Sequence, residues 1–428
     1  MSAQTPSGAP SGTPATESLS TPQRRRSGQM ATGAAIAVAV VLLIVGIGGG
    51  YALGYELTKK GSSSSTIQLT ETGSSLLYPL FENQWDAAYH AVNPSVVLAA
   101  DSTGSGTGQS SAEGGLVNIG ASDAFVLSQP SIINLPVAIS AQLVYYNIPG
   151  VTQHLRLNGT MLAEIYEGTI TNWNNPLIVA AQTGKVQKEL NATSGNPIVP
   201  LKRFDASGDT FLFTSLCQMS WSGWTYGYGT GNLSGAPWTS ETGNSQMASA
   251  VQTTSYSIAY IGISYEGDTG SVPYAAVGDN MSLSASGGLN ASNYILPSSQ
   301  NISDDANLGL AHLDFASDQL AINLILGGDY KGATAVPKNE GGTNPTATYP
   351  SPYPIVNLEY TLVKLAPTGP VVTASALSAT VSFLEWAISY GNYAPDDSTS
   401  SYLAAVNFVP LTPAVIGYDE EELAEVQP

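Results

Sequence analysis

The chain predicts an α/β fold held outside a membrane by one N-terminal transmembrane helix, and three observations carry that reading. From residue 66 onward, short strand-like runs alternate with helix-like runs, the pattern of α/β architecture. No charge occurs from Ser27 to Tyr55, and the apolar stretch inside it is long enough to span about 30 Å of hydrocarbon at 1.5 Å per residue. A single cysteine, Cys217, and three scattered histidines, His90, His154 and His312, exclude a disulfide framework and leave no zinc-type ligand spacing. No metal or cofactor is expected.

Charge narrows the function classes. The 428 residues include 32 acids and 13 bases, a net −19, which argues against nucleic acid as a partner. Residues 1–29 are rich in Ser, Thr, Pro, Gly and Ala and read as a disordered cytoplasmic tail. Residues 30–55 form the anchor and 56–65 a flexible stalk ending in Gly-Ser-Ser-Ser-Ser. Arg24, Arg25 and Arg26 precede the anchor and only Lys59 and Lys60 closely follow it, so the tail lies inside and the remainder outside. The apolar run exceeds that of a secretory signal and lacks a clear small-x-small cleavage site, which favours retention. Residues 61–428 then carry 30 acids and 8 bases, a net −22. Asn-x-Ser/Thr sequons at Asn158, Asn191, Asn232, Asn280, Asn290 and Asn301 suit a glycosylated single-pass surface protein.

In chain order, STIQLT reads as a strand, LLYPLFENQWDAAYHAV as a helix and SVVLAADS as a strand. SAQLVYYNI, GTMLAEIYEGTI, NPIVPLKRF and DTFLFTSLCQMS continue as strand, helix, strand and helix. PIVNLEYTLVKL is a strand-pair candidate, and SALSATVSFLEWAISYGNY a long amphipathic helix. Cys217 is expected in the core, Trp221, Trp224 and Trp238 in packing, and the acidic run Asp419–Glu422 at a solvated helix start.

Three strand-to-helix junctions share one design, a polar turn of Thr, Gly and Ser just before a helix. They are residues 70–76, 102–108 and 203–210. Such turns present backbone N–H groups and hydroxyls toward an anion, although plain helix capping uses the same residue types. Three together, one with an arginine, favour an oxyanion site. A nucleophile elbow is absent, because Gly120-Ala121-Ser122-Asp123-Ala124 lacks the final glycine. The second turn lacks the Gly-Lys-Ser/Thr ending of a phosphate loop, and its glycines lack dinucleotide spacing.

The blocks LTETGSSLLYPLFENQW, GSGTGQSSAEGGLVNIGASDAF, NLPVAISAQLVYYNIPG, LNGTMLAEIYEGTITNW, RFDASGDTFLFT and SIAYIGISYEGD, in this order, resemble the phosphate-specific substrate-binding proteins of ABC transporters. The resemblance implies a two-lobed, type II periplasmic-binding-protein-like fold with two crossover hinge strands. Lobe 1 would comprise 66–146 and 354–428, and lobe 2 would comprise 147–353, with hinges near residues 145–148 and 353–356. It further implies that Ser75 and Ser105 offer hydroxyls, Leu76 a backbone N–H, and Asp123 an acceptor carboxylate. Arg203 would pair with the anion, Ser207, Gly208 and Asp209 would bind through hydroxyl and N–H groups with Thr210 close by, and Asp205 would orient Arg203. Leu76 stands where Phe is common in the family and Asp209 where some members have Thr, so Asp209 bears on the preferred protonation state of the ligand.

The chemistry is coherent on its own. Arginine offers a planar fork to two anion oxygens, and each charge-assisted bond is worth about 1.5–3 kcal/mol. A buried carboxylate accepts the O–H of hydrogen phosphate but faces only lone pairs on sulfate, a mismatch that can reject an analogue by about 10⁴-fold. The resulting expectation is a non-enzymatic phosphate-binding protein that delivers its ligand to an ABC permease with its ATPase. A surface phosphatase or hydrolase, and a phosphate sensor without transport, are the competing readings.

Overall fold

The structure, a computed structural model, describes residues 66–126, 129–192, 195–278, 294–310, 353–389, 391 and 401–428. The expected tail, anchor and stalk lie outside the described residues, as do His312, Asn280 and Asn290. Among the described residues, no helix is long and apolar enough to cross a membrane.

The strands are β1 (Ile67–Gly73), β2 (Val96–Ala99), β3 (Ile119–Ser122), β4 (Ile132–Tyr146), β5 (Arg156–Asn158), β6 (Val199–Arg203), β7 (Thr239–Glu241), β8 (Ser257–Gly262), β9 (Ala276–Gly278), β10 (Tyr294–Ile295) and β11 (Val356–Lys364). Helix α1 runs through Tyr78–Leu80, a π-helical stretch Phe81–Trp85, and Asp86–Val92. It is followed by α2 (Ser105–Glu113), α3 (Gly159–Tyr166), α4 (Pro176–Ala181), α5 (Gly184–Asn191), α6 (Gly208–Ser220), α7 (Gly243–Thr253), α8 (Ser299–Leu310), α9 (Ala374–Ser389) and α10 (Pro413–Ala424).

Eight strands form one mixed sheet in the order β2-β1-β3-β11-β4-β8-β6-β7, and β10-β9-β5 form a second. β1 lies parallel to β2 and β3, whereas β11 is antiparallel to both β3 and β4. The 15-residue β4 joins two halves of the large sheet: Ile132–Ala141 pairs with β11, and Gln142–Tyr146 pairs with β8. Its near-continuous apolar sequence suits a strand covered on both faces. Pro136 is tolerated inside it because the register against β11 slips there, between Glu359 and Tyr360.

PIVNLEYTLVKL, read as a strand pair, is one nine-residue strand buried along its whole length. Every position of β11 is covered and paired with β4, so no exposed residue remains at which a hairpin could turn. The acidic run also differs: Asp419 sits in the second half of α10, fully buried, while Glu420 is exposed. Cys217 is buried in α6, and Trp221, Trp224 and Trp238 pack on the core as expected. The widened turn of α1 places Phe81 and Trp85 edge-to-face at 5.0 Å, with Trp85 also against Phe383 of α9 at 6.0 Å. Trp85 Nε1 donates to the Gly391 carbonyl at 3.0 Å, which satisfies the indole in that packing. Asn158, one of the sequons, is buried and caps α3 by accepting from the Met161 amide at 2.9 Å, so the folded chain hides it from modification.

Candidate functional site

The three polar turns converge on the Asp123 carboxyl, just beyond the end of β3. The first follows Gly73, whose φ of 144° only glycine adopts easily and where a side chain would run into the Ala121 carbonyl. This close approach puts the Ser74 hydroxyl in position to donate to Asp123 Oδ1 while accepting from the Leu76 and Leu77 amides at 3.1 Å each. From the second turn, Ser105 Oγ donates to Asp123 Oδ2 at 3.3 Å. The third turn closes over both: the Gly106 amide donates to the Ala206 carbonyl at 2.8 Å, and Gly208 lies directly against the Asp123 side chain.

Arg203, at the end of β6, is buried with its guanidinium spread between two acids. Nε donates to Asp205 Oδ1 at 2.8 Å, the second nitrogen donates to Asp205 Oδ2, and the third donates to Asp209 Oδ2 at 2.8 Å. Asp205, expected to orient Arg203, thus takes two of its nitrogens. Asp209, in the first turn of α6, also accepts from Asn244 Nδ2 at 2.7 Å and from Gln142 Nε2 at 3.1 Å. The Asn244 amide and side chain both donate to Ser75 Oγ, at 3.1 and 3.0 Å, which links the first turn to the start of α7. Thr210 Oγ1 lies 2.9 Å from the Tyr260 hydroxyl, which accepts from the Arg203 amide at 3.0 Å.

Each expected site residue is therefore placed. Ser75, Leu76, Ser105, Asp123, Arg203, Ser207, Gly208, Asp209 and Thr210 are all buried and lie on the three turns that meet here. Two are engaged differently from the expectation, since the Leu76 amide donates to Ser74 and the Ser75 hydroxyl accepts from Asn244. Ser207 Oγ is buried with no hydrogen-bond partner, and α6 has no side-chain cap. Its first intrahelical bond is Phe211 N to Ser207 O at 3.1 Å, so the amides of residues 208–210 precede the ladder.

Six residues that the sequence alone did not single out complete the network: Ser74, Gln142, Asn244, Tyr260, Asn357 and Glu359. Asn244 had a visible signal, because Thr242-Gly243-Asn244 is a fourth polar turn between a strand and a helix. Glu359 had one too, as a lone acid within an apolar strand. It is fully buried on β11 beside the register slip, with Oε1 accepting from Ser140 Oγ at 2.5 Å and its carboxyl hydrogen-bonded to that of Asp123. Asn357 braces the pair by donating to the Asp123 carbonyl at 2.6 Å.

Burial governs the electrostatics. It pushes the Asp123 carboxyl upward, with the charge of Asp209 adding to the shift and hydrogen bonds from Glu359 and Ser74 opposing it. Glu359 is pushed well above the ordinary carboxyl range, first by burial and then by the neighbouring Asp123. Asp209 is raised by burial against the opposing pull of Arg203. For Arg203, burial alone acts downward, but the Asp205 hydrogen bonds and the Asp209 charge outweigh it and push the group up. The assembly thus offers a permanently charged guanidinium, free hydroxyl and amide donors, and a carboxyl acceptor in a dry setting, a donor and acceptor set suited to a partly protonated oxyanion. The described histidines stand apart from it, with His90 bonded to the Val96 carbonyl and His154 to the Tyr274 carbonyl.

The chain is 26% identical over 250 residues to the phosphate-binding protein PstS of Methanocaldococcus jannaschii, a match covering 54% of this chain and 62% of that protein. It is 32% identical over 208 residues to PstS of Haemophilus influenzae, covering 46% of this chain and 58% of that one. The chain thus spans about three fifths of the length of these curated relatives. The subatomic-resolution structure of the high-affinity periplasmic phosphate-binding protein PfluDING bound with phosphate superposes with a TM-score of 0.56 at 18% identity, over 84% of this chain and 93% of that one, which establishes likeness of fold. A family model described as the PBP superfamily domain matches residues 59–390, a range that takes in the three turns, β4 and β11, and on that match the chain belongs to the PBP superfamily.

Proposed function

We propose that this chain binds inorganic phosphate between its converging turns and passes it to an ABC permease with its ATPase, acting as a binding protein and not as an enzyme. The observation that carries the reading is the closure of the Arg203–Thr210 turn onto Asp123, which sets a buried guanidinium and a helix N-terminus opposite a carboxyl acceptor. That pairing of donor and acceptor suits an oxyanion that still bears a proton. The names of the PstS relatives and of the superposed structure point to the same ligand. The lobes 66–146 with 354–428 and 147–353 would close around it, with β4 and β11 as crossover strands. Residues 30–55 would tether the chain as a single-pass anchor, with the binding domain extracellular and near its permease. Among the sequons, exposed Asn191 would be a glycan site, unlike buried Asn158.

Equilibrium dialysis of the full-length chain in detergent against labelled phosphate, with unlabelled sulfate as competitor, tests the reading. Saturable one-to-one phosphate binding that resists a hundredfold excess of sulfate is expected. Absence of phosphate binding, or equal competition by sulfate, would overturn it. Retention in the membrane pellet after alkaline extraction is the expected result for the anchor, and release would refute it.

A further inference from the structure

Asp209 is the feature of the site that its proposed task does not require. A short hydroxyl side chain there would extend the row of donors at the N-terminus of α6, whereas Asp209 brings a carboxylate into a site meant for anions. Both of its oxygens are engaged. Oδ2 takes one Arg203 guanidinium nitrogen at 2.8 Å and Asn244 Nδ2 at 2.7 Å, and Oδ1 takes Gln142 Nε2 at 3.1 Å. Arg203 Nε and a second nitrogen are given to Asp205, so each of the three guanidinium nitrogens already serves a carboxylate of the protein. Both partners of the Arg203–Asp209 pair are buried, with side-chain exposures of 1% and 0%, so water cannot screen their attraction.

We infer that Asp209 is a built-in competitor for the oxyanion: its carboxylate occupies the Arg203 and Asn244 donors that the ligand needs, and protonation of Asp209 frees them. The inference rests on the phosphate-binding reading of the site. Ligand binding becomes coupled to proton uptake, and affinity increases as the medium turns acid. The groups facing Asp209 support this direction. Arg203 of β6 holds its charge, Asp205 follows on the same turn, Asp123 lies beyond β3, Glu359 on β11, and Tyr260 and Tyr265 on and after β8. One guanidinium thus faces the carboxyls of Asp205, Asp209 and Asp123, and adding a doubly charged anion to that set is unfavourable without a proton. Burial raises Asp209 from its ordinary value, which moves the proton uptake toward milder acidity.

The test compares the full-length chain with D209T and D209N. D209T introduces a short hydroxyl side chain, and D209N keeps the shape but removes the charge. Labelled phosphate affinity is measured across about pH 4.5 to 8, and proton uptake is read from calorimetric heats in buffers of different ionisation enthalpy. For the unmodified chain, affinity should tighten by up to about tenfold per pH unit beyond the trend that the ligand's own titration imposes, as one linked proton requires. Both variants should lose that excess slope, take up fewer protons, and bind more tightly than the parent near neutrality. Parallel pH profiles with equal proton uptake in all three proteins would overturn the inference and leave the phosphate reading standing. Absence of phosphate binding by all three at every pH would overturn both. Weaker binding by both variants throughout the range would make Asp209 a ligand rather than a competitor, and would also overturn it.

Discussion

Replacing Gly208 by alanine tests whether the close approach of the third turn to Asp123 is what makes the site. A methyl group at position 208 would lie 2.5 Å from Asp123 Oδ2 and 2.7 Å from its Cγ, where ordinary contact begins near 3.4 Å. The carboxyl would therefore have to retreat by about 0.9 Å, the gap between 2.5 and 3.4 Å. It has nowhere to go. Ser74 and Ser105 hold its two oxygens, Ser105 accepts from its amide at 3.3 Å, and Asn357 grips its carbonyl at 2.6 Å. Gly208 cannot withdraw freely either, because the preceding residues donate or accept through Gly106 N to Ala206 O at 2.8 Å and Ser207 N to Thr230 O at 3.0 Å. Over-packing of this kind costs about 1–3 kcal/mol. Since the strain is confined to the arrangement in which the turn meets Asp123, phosphate affinity should fall by about 5- to 150-fold, the equivalent of that energy. Dialysis gives the affinity and urea denaturation the stability, with Gly235→Ala as a control, since nothing lies within 4 Å of a side chain added there. Binding by Gly208→Ala within twofold of the parent, at unchanged stability, would refute the argument.

Other outcomes follow from the same network. Arg203→Ala should abolish phosphate binding and destabilise the fold by about 3–5 kcal/mol at neutral pH, because the buried Asp209 and Asp205 lose their cation; intact stability in urea would contradict the buried-pair account. Asp123→Asn should let sulfate compete with phosphate, since an amide can donate where a carboxylate cannot, and unchanged sulfate rejection would remove the acceptor role. Glu71 and Asp419 are buried, and burial pushes both well above the ordinary carboxyl range, with a backbone hydrogen bond from Asp101 opposing the shift at Glu71. The folded chain then holds protons that the unfolded chain releases, so stability falls as pH rises above the ordinary carboxyl range, by up to about 1.4 kcal/mol per unit for each group. Denaturation midpoints should be higher near about pH 5 than near about pH 8, and the Glu71→Gln, Asp419→Asn double variant should flatten that difference; an identical profile in the variant would refute it.

The alternation of strand and helix was legible because each run is either apolar throughout or amphipathic at one period, as in STIQLT, DTFLFTSLCQMS and SALSATVSFLEWAISY. The three turns were legible for a local reason: Gly, Ser and Thr sit where a strand ends and amide groups are exposed. What eluded the sequence is what depends on distance along the chain. Glu359 meets Asp123 only because β11 lies between β3 and β4, and Gln142 reaches Asp209 only because β4 changes partner at that residue. The single-strand nature of PIVNLEYTLVKL and the burial of Asp419 were likewise set by neighbours that no local pattern names. Asn244 is the exception, since it belongs to a polar strand-to-helix turn of the same local type.

The central position of β11 also bears on how the molecule is made. Ser140 and Glu359, which meet across the β4–β11 ladder, are 219 positions apart in the chain. During synthesis the strands β1 to β4 therefore emerge long before the strand that fills the gap between β3 and β4, and those two present open edges to one another until it arrives. Insertion of a strand into the middle of a sheet, between partners made more than 200 residues earlier, is a slow, non-local step. A chain released before residue 356 would be left with two separate half-sheets and a carboxyl site lacking Glu359, so the last strand to appear among the described residues is the one that joins the two halves.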